Sequence, residues 1–199
     1  MNKASSTSPR WHDDKATRNE TEFCQPGTGS LVDYLVILGW MLVLAVITTL
    51  LWLVTGEFYN WLQLGVAGAQ LLGFLVLVLP VGIYLFLSEA SPAAATLGKR
   101  RMRLHVVNRR TGGRASTAQI LLRTVTKLLP WEIAHFSVWN FVAIASTGST
   151  EFPSWLYAVA IFADLLPVLY LLLVAFEAEG RPPHDLIAGT RVVKLQPAP

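Results

Sequence analysis

Four long apolar runs, at residues 31–54, 64–87, 131–147 and 155–176, alternate with polar connections, of which only the one between the second and third runs is long. The first run carries one charge, Asp33, near its start, and at ~1.5 Å per residue it is long enough to cross ~30 Å of hydrocarbon with some tilt. Ser30 followed by Asp33 has the spacing of a capping box with an acid at the positive helix end, so a helix is predicted to begin at Ser30. The connection 56–63, GEFYNWLQ, holds Glu57, no Lys or Arg, and the Tyr and Trp that favour a membrane interface, which predicts an outer hairpin.

In the second run Gly65, Ala69 and Gly73 recur every four residues, a stripe of small side chains that lets another helix approach and offers a contact between copies. Pro80, followed by Gly82, predicts a kink or a freed backbone carbonyl that needs a partner from a neighbouring helix or water. The third run, WEIAHFSVWNFVAIAST, is short and polar at its start, so it either crosses or re-enters.

The long polar segment, 97–127, holds nine of the sixteen Lys and Arg and no acid. Within it, 104–107 is β-prone and 108–113 has the Asn and Gly-Gly of a turn; 191–194 is a candidate partner strand. Ser116 and Gln119 form a second capping box ahead of ILLRTVTKLL, whose apolar residues share one face while Arg123 and Lys127 lie four apart on the other. That pattern predicts an amphipathic helix along the interface, ended or redirected by Pro130.

Charge placement sets the topology. With four crossings every Lys and Arg falls on one side: four in the N-terminal tail, nine in the loop, and Arg181, Arg191 and Lys194 at the end. By the positive-inside rule that side is cytoplasmic, which places both termini there in a multi-pass protein of the cell membrane.

Composition agrees, since 53% hydrophobic and 15% charged residues are too apolar for a soluble domain of this size. The fold class is therefore an all-α, four-span transmembrane bundle (30–195), with short β pairing between the basic loop and the C-terminal segment. Residues 1–29 are polar and aperiodic, as expected of a disordered tail, and 196–199 form a short C-terminal tail. The net charge of +3 sits beside membrane segments, so anionic lipid of the cytoplasmic face, rather than nucleic acid, is the expected counter-charge. A lone cysteine, Cys24, permits no intrachain disulfide. The first run is too long and too far into the chain for a signal-peptide core, and no lipidation signature is evident. With no Gly-rich phosphate loop, no nucleophile elbow and no cysteine suited to catalysis, neither an enzyme nor a cofactor is expected.

Candidate chemistry lies in the spans and at their basic ends. Asp164 falls near the middle of the fourth run, where a carboxylate costs ~2.5–3.5 kcal/mol on insertion scales. It reads either as a proton or cation site or as a polar contact between helices through Asn140, Ser137 or Tyr170, with Pro167 loosening the helix beside it. Glu132 and His135 share one helix face. The Glu-x-x-His pattern occurs in dinuclear metal sites, but a second copy is lacking, so an interface contact or a step in a proton relay toward Asp164 is the stronger reading and no metal is expected. Asp185 is placed to pair with Arg101 or Arg103, or to cap the helix after Pro183; its neighbour His184 points elsewhere. Asp33 complements the helix dipole, and with Asp185 and the arginines it would form a salt-bridged collar.

The chain resembles the RDD family of small polytopic membrane proteins. The resemblance is carried by Asp33, by LGKRRMRLHVVNRRTGGRAS with the following ILLR, and by HDLIAGTRVV. It marks Gly98, Lys99, Arg100, Arg101, Arg103, Gly113 and Arg123 in the loop, and His184, Asp185, Gly189 and Arg191 near the end, and it implies that Asp33 and Asp185 are the family's two acids. The Arg that the family carries before the first span is absent, because CQPGTGS holds no basic residue. The family is associated with transport of poorly defined ligands, with sodium and proton exchange in some members. Two readings follow: transport of a small ion or solute by an oligomer, or a non-transporting adaptor whose basic face recruits anionic lipid or partner membrane proteins.

Overall fold

The computed structural model describes residues 27–177 and 180–194, with side chains from Val32 onward. Cys24, most of the N-terminal tail and the last five residues lie outside that range.

Four helical segments are long and apolar enough to cross a membrane: Val32–Thr55, Trp61–Ala90, Thr117–Ser146 and Ser154–Phe176. The first belongs to α1, Gly27–Thr55, which starts three residues before the predicted cap and leaves Ser30 inside the helix. The second is composite. A 3-10 turn, Trp61–Leu64, leads into α2, Gly65–Gly73; a π-helical turn, Phe74–Val78, joins it to α3, Leu79–Ala90. The π turn absorbs the disturbance from Pro80, which has no N–H for the carbonyl four residues back. That carbonyl, Val76, accepts instead from the indole Nε1 of Trp40 on α1 at 3.0 Å, the neighbouring-helix partner the sequence called for.

After a tight connection come α4, Leu97–Arg101, and β1, Leu104–Asn108. Then α5 runs unbroken from Thr117 to Ser146. The predicted interfacial helix and third span are therefore one rod of ~45 Å, longer than the hydrocarbon core, and Pro130 sits inside it without ending it. The carbonyl that Pro130 leaves unpaired, Thr126, accepts from the Tyr170 hydroxyl of the next span at 3.1 Å, so the proline is tolerated. The capping box forms as read: Gln119 N donates to Ser116 Oγ at 3.2 Å and Ser116 N to Gln119 Oε1 at 3.0 Å.

The chain continues with α6, Ser154–Phe176, then α7, Pro183–Ala188, and β2, Thr190–Lys194. β2 pairs antiparallel with β1, Leu104 facing Lys194 and Asn108 facing Thr190. This ribbon is stabilised by packing on helix ends, with Val106 buried against Ala115 and Ile120 beside Phe86 and Ala90.

α5 is central, with α2 and α3 on one side and α6 on the other; α1 stands at the edge, held mainly through α4. An apolar gap of about 170 Å³, lined by Val36, Ile37, Trp40, Pro80, Val81 and Tyr84, separates α1 from α3. The small-residue stripe is spent inside this arrangement. Ala69 and Gly73 are buried, and a Cβ on Gly73 would stand 3.0 Å from the Trp139 indole of α5. Gly65 is exposed at the start of α2 with a positive φ, so the stripe is not an outward contact surface for another copy.

The first turns of α5 also reverse the predicted facing. Leu121 and Val125 are 52% exposed, while Arg123 is 1% exposed. A helix with its apolar face outward and its charges inward suits lipid, not water.

Candidate functional site

Polar chemistry concentrates at two levels. At the basic end, the last turn of α3 aims Glu89 inward, 1% exposed, at three cations. Its Oε2 accepts from Arg123 Nε at 2.9 Å, and its Oε1 meets Lys127 Nζ at 2.8 Å and Lys99 Nζ at 2.5 Å. Arg123 also reaches Asp185 of α7, and Thr190 Oγ1 donates to the same carboxylate at 2.5 Å. Each buried charge thus has a partner, without which burial would be prohibitive. Burial lowers the Lys99 ammonium from its ordinary range, opposed by the Glu89 carboxylate. His184, whose Nε2 lies 4.0 Å from Asp185, is pushed well below the usual histidine range by burial first and then by the charges of Arg123, Lys127 and Lys99.

Asp33 completes this end by hydrogen bonds. It accepts from Tyr84 Oη at 2.8 Å, Thr96 Oγ1 at 2.6 Å and Gly98 N at 3.1 Å, and so ties α1 to α3 and α4. Thr96 also caps α4, accepting from Lys99 N. Gln119 closes the other corner. Its Oε1 takes Asn108 Nδ2 at 3.0 Å, and its Nε2 donates to the carbonyls of Ala188 and Gly189.

The second level lies within the spans, ~14–21 Å from the end opposite the basic loop at ~1.5 Å per residue from Trp61 and Ser146. Gln70 Nε2 on α2 donates to Glu132 Oε2 on α5 at 2.8 Å, and His135 Nδ1 stands 3.8 Å from Glu132 Oε1. Gln70 Oε1, Glu132 Oε1 and His135 Nδ1 are all buried with no hydrogen-bond partner. Three such atoms from three side chains on two helices make the most unsatisfied polar point in the described spans. No group of three or more His, Cys, Asp or Glu placed to hold a metal ion occurs among the described residues.

Asp164 is elsewhere. It is exposed on the outward side of α6, ~15 Å along that helix from Ser154. Its expected partners are engaged with backbone carbonyls: Ser137 with Ile133, Asn140 with Phe136 and Tyr170 with Thr126. The structure brings Glu132 and His135 together with Gln70, and leaves Asp164 apart.

A model of the RDD family matches residues 30–189 of this sequence. The chain belongs to the RDD family. No curated protein and no solved structure gives a match.

Most motif residues of this RDD protein either build the buried junction or stand exposed around it. Asp33, Gly98, Lys99, Arg123, Asp185 and Gly189 build the buried junction, where Gly189 ends α7 at φ +64° and Gly98 is buried with its amide on Asp33. Arg101, Arg103 and Arg191 are exposed. Arg100 holds its own connection, with Nε on the Ala95 carbonyl at 2.9 Å and Nη2 on Ser91 Oγ at 3.0 Å. The Gly113 carbonyl accepts from Asn108 N at 2.8 Å to close the turn. Asp185 therefore pairs with Arg123 rather than Arg101 or Arg103, and it lies within α7 instead of capping it. Asp33 joins the collar through neutral donors, not a salt bridge.

Sequence reading missed Glu89 and Gln70. Glu89 had a signal, being the only acid between Glu57 and Glu132 and standing beside nine basic residues. Gln70 had one too, as the one amide in the second apolar run.

Proposed function

We propose that this RDD protein moves protons or a small monovalent cation across the membrane, with Gln70, Glu132 and His135 as its intramembrane binding point. The observation that supports this reading is the set of three buried, unpartnered atoms at one depth. Each can accept, His135 Nδ1 when the ring proton is on Nε2, and each unmade hydrogen bond costs ~1–3 kcal/mol that a proton or cation would relieve. An intramembrane ionisable group beside a second titratable side chain is the usual arrangement of a proton or ion path. Sodium and proton exchange, implied by the resemblance, fits a site where one carboxylate could take either ion.

In this reading the basic end faces the cytoplasm. The opposite end, with Glu57 and Glu151 and no Lys or Arg in its hairpins, faces outward. The test is proton and sodium flux in proteoliposomes, comparing wild type with Glu132→Gln at equal, verified insertion. Flux that falls by about tenfold or more supports the site, since that is ~1.4 kcal/mol of binding or barrier. Unchanged flux in Glu132→Gln removes it.

A second reading rests on the exposed Arg101, Arg103, Arg110 and Arg191 around the ribbon, which suit anionic headgroups at ~1 kcal/mol each. An adaptor of that kind loses function on charge reversal at Arg101 and Arg103 and keeps it in Glu132→Gln.

A further inference from the structure

Two hydrogen bonds tie α1 to the second span: Trp40 Nε1 to the Val76 carbonyl at 3.0 Å and, seven residues nearer the basic end, Tyr84 Oη to Asp33 at 2.8 Å. Between these struts, over ~10 Å of helix, lies the apolar gap of about 170 Å³ that separates α1 from α3. Its six lining residues, Val36, Ile37, Trp40, Pro80, Val81 and Tyr84, are all half-buried and none is buried, so the gap opens sideways to the membrane. An apolar space of ~150 Å³ takes a six-carbon ring, and left empty it costs its lining the contacts that a filled space would supply. At this depth the filling at hand is a lipid chain.

The basic end of the gap selects the lipid. α4 is fastened across it, with Thr96 Oγ1 and Gly98 N on Asp33 and Leu97 N on Tyr84 Oη at 3.4 Å. Both nearby carboxylates are engaged, Glu89 with its three cations and Asp33 with three donors. Arg100 is exposed yet held in place, Nε on the Ala95 carbonyl at 2.9 Å and Nη2 on Ser91 Oγ at 3.0 Å, with Nη1 unpartnered among the described residues. Its charge acts on the Tyr84 hydroxyl, which puts the guanidinium beside the mouth of the gap.

We propose that the gap is a lipid site: one acyl chain of an anionic phospholipid, from the leaflet at the basic end, lies between α1 and α3 with its phosphate on Arg100. Basic pockets between spans suit such headgroups, and the planar N–H edge of a guanidinium suits a phosphate. The site takes one molecule in one place, unlike the diffuse attraction of the arginines around the ribbon, and it uses none of the residues on which either functional reading rests.

The experiment places the full chain in phosphatidylcholine bilayers holding a minor fraction of phosphatidylglycerol with a photoactivatable acyl chain, and maps the adducts to residues by mass spectrometry. The expected result is labelling of residues 36–40 and 80–84 about tenfold above Leu42 and Leu165, which are exposed on α1 and α6. The same chain carried on phosphatidylcholine labels the gap about fivefold less, the factor that one basic residue supplies beside an anionic headgroup. Arg100→Gln removes that preference, while Arg110→Gln, the same loss of charge in the turn after β1, keeps it. Val81→Phe puts a ring into the gap, so it lowers labelling there and leaves Leu42 and Leu165 unchanged. Excess inorganic phosphate does not displace the probe, because it cannot fill the gap. Should either variant misfold, the comparison of the two lipids on the wild type still decides. Labelling spread evenly over the exposed apolar residues, no labelling in the gap because a second copy fills it, equal labelling by the two lipids, or a preference that survives Arg100→Gln each overturn the proposal.

Discussion

Trp40 and Val76, 36 residues apart, are joined by one hydrogen bond of 3.0 Å that substitutes for the amide Pro80 lacks. With the Tyr84 to Asp33 bond nearer the basic end, it ties α1 to the second span. Trp40→Phe keeps most of the ring contact and loses that bond. It is expected to lower stability in detergent by ~1 kcal/mol, read as a shift in thermal unfolding. In a Pro80→Ala background, where Val76 regains an amide, the same substitution should cost measurably less, and equal costs in the two backgrounds would refute the substitution.

Glu89 holds three cations, so removing its charge leaves a buried excess of positive charge. Glu89→Gln is expected to cost ~3–5 kcal/mol, seen as a collapse in folded yield. Arg101→Gln, at an exposed position, should stay within ~0.5 kcal/mol of wild type. A folded, wild-type-like Glu89→Gln protein would show that the network is not the tie described above.

His184 gives the junction a pH dependence. Its folded pKa lies below the unfolded value of ~6.5, so the fold favours the neutral ring and the unfolded chain takes the proton first. Stability is therefore intact above pH ~6.5 and falls by up to ~1.4 kcal/mol per unit as pH drops below it. Unfolding temperatures at pH 7.5 and 5.5 measure this, and His184→Gln should flatten the difference.

Gly73 and Gly82, both buried against α5, should respond differently. A Cβ on Gly73 meets the rigid Trp139 ring, so Gly73→Val is expected to cost ~1–3 kcal/mol. A Cβ on Gly82 meets only the tip of Leu128, at 2.9 Å, which can rotate away. Gly82→Ala should be near neutral, because up to ~1 kcal/mol of helix propensity offsets the adjustment. Paired melting curves decide between these outcomes.

Much of the fold was legible because its signals are local. The number and order of the four spans, the Ser116 and Gln119 cap, the Asn108 turn and the strand pair all follow from composition and spacing. The errors share a cause, which is that a partner distant in sequence overrode a local rule. Pro130 reads as a helix end until Tyr170 serves the Thr126 carbonyl. Arg123 and Lys127 read as a solvated face until Glu89 and Asp185 draw them inward and leave Leu121 and Val125 to the lipid. At the candidate site, spacing alone put Glu132 beside His135, but no periodicity pointed to Gln70, since that contact depends on how two spans cross.

The unbroken α5 carries both polar levels, with Arg123 and Glu132 nine residues and ~14 Å apart on one rod. Pro130 lies between them, so the rod has a joint at the one place where its backbone ladder is interrupted, and the Tyr170 hydroxyl bears on that joint from α6. α6 thus touches α5 at the turn that leads from the ionic junction to Glu132. Thr126, whose carbonyl takes that hydroxyl, lies three residues after Arg123 and six before Glu132, so the one contact sits between the two polar levels.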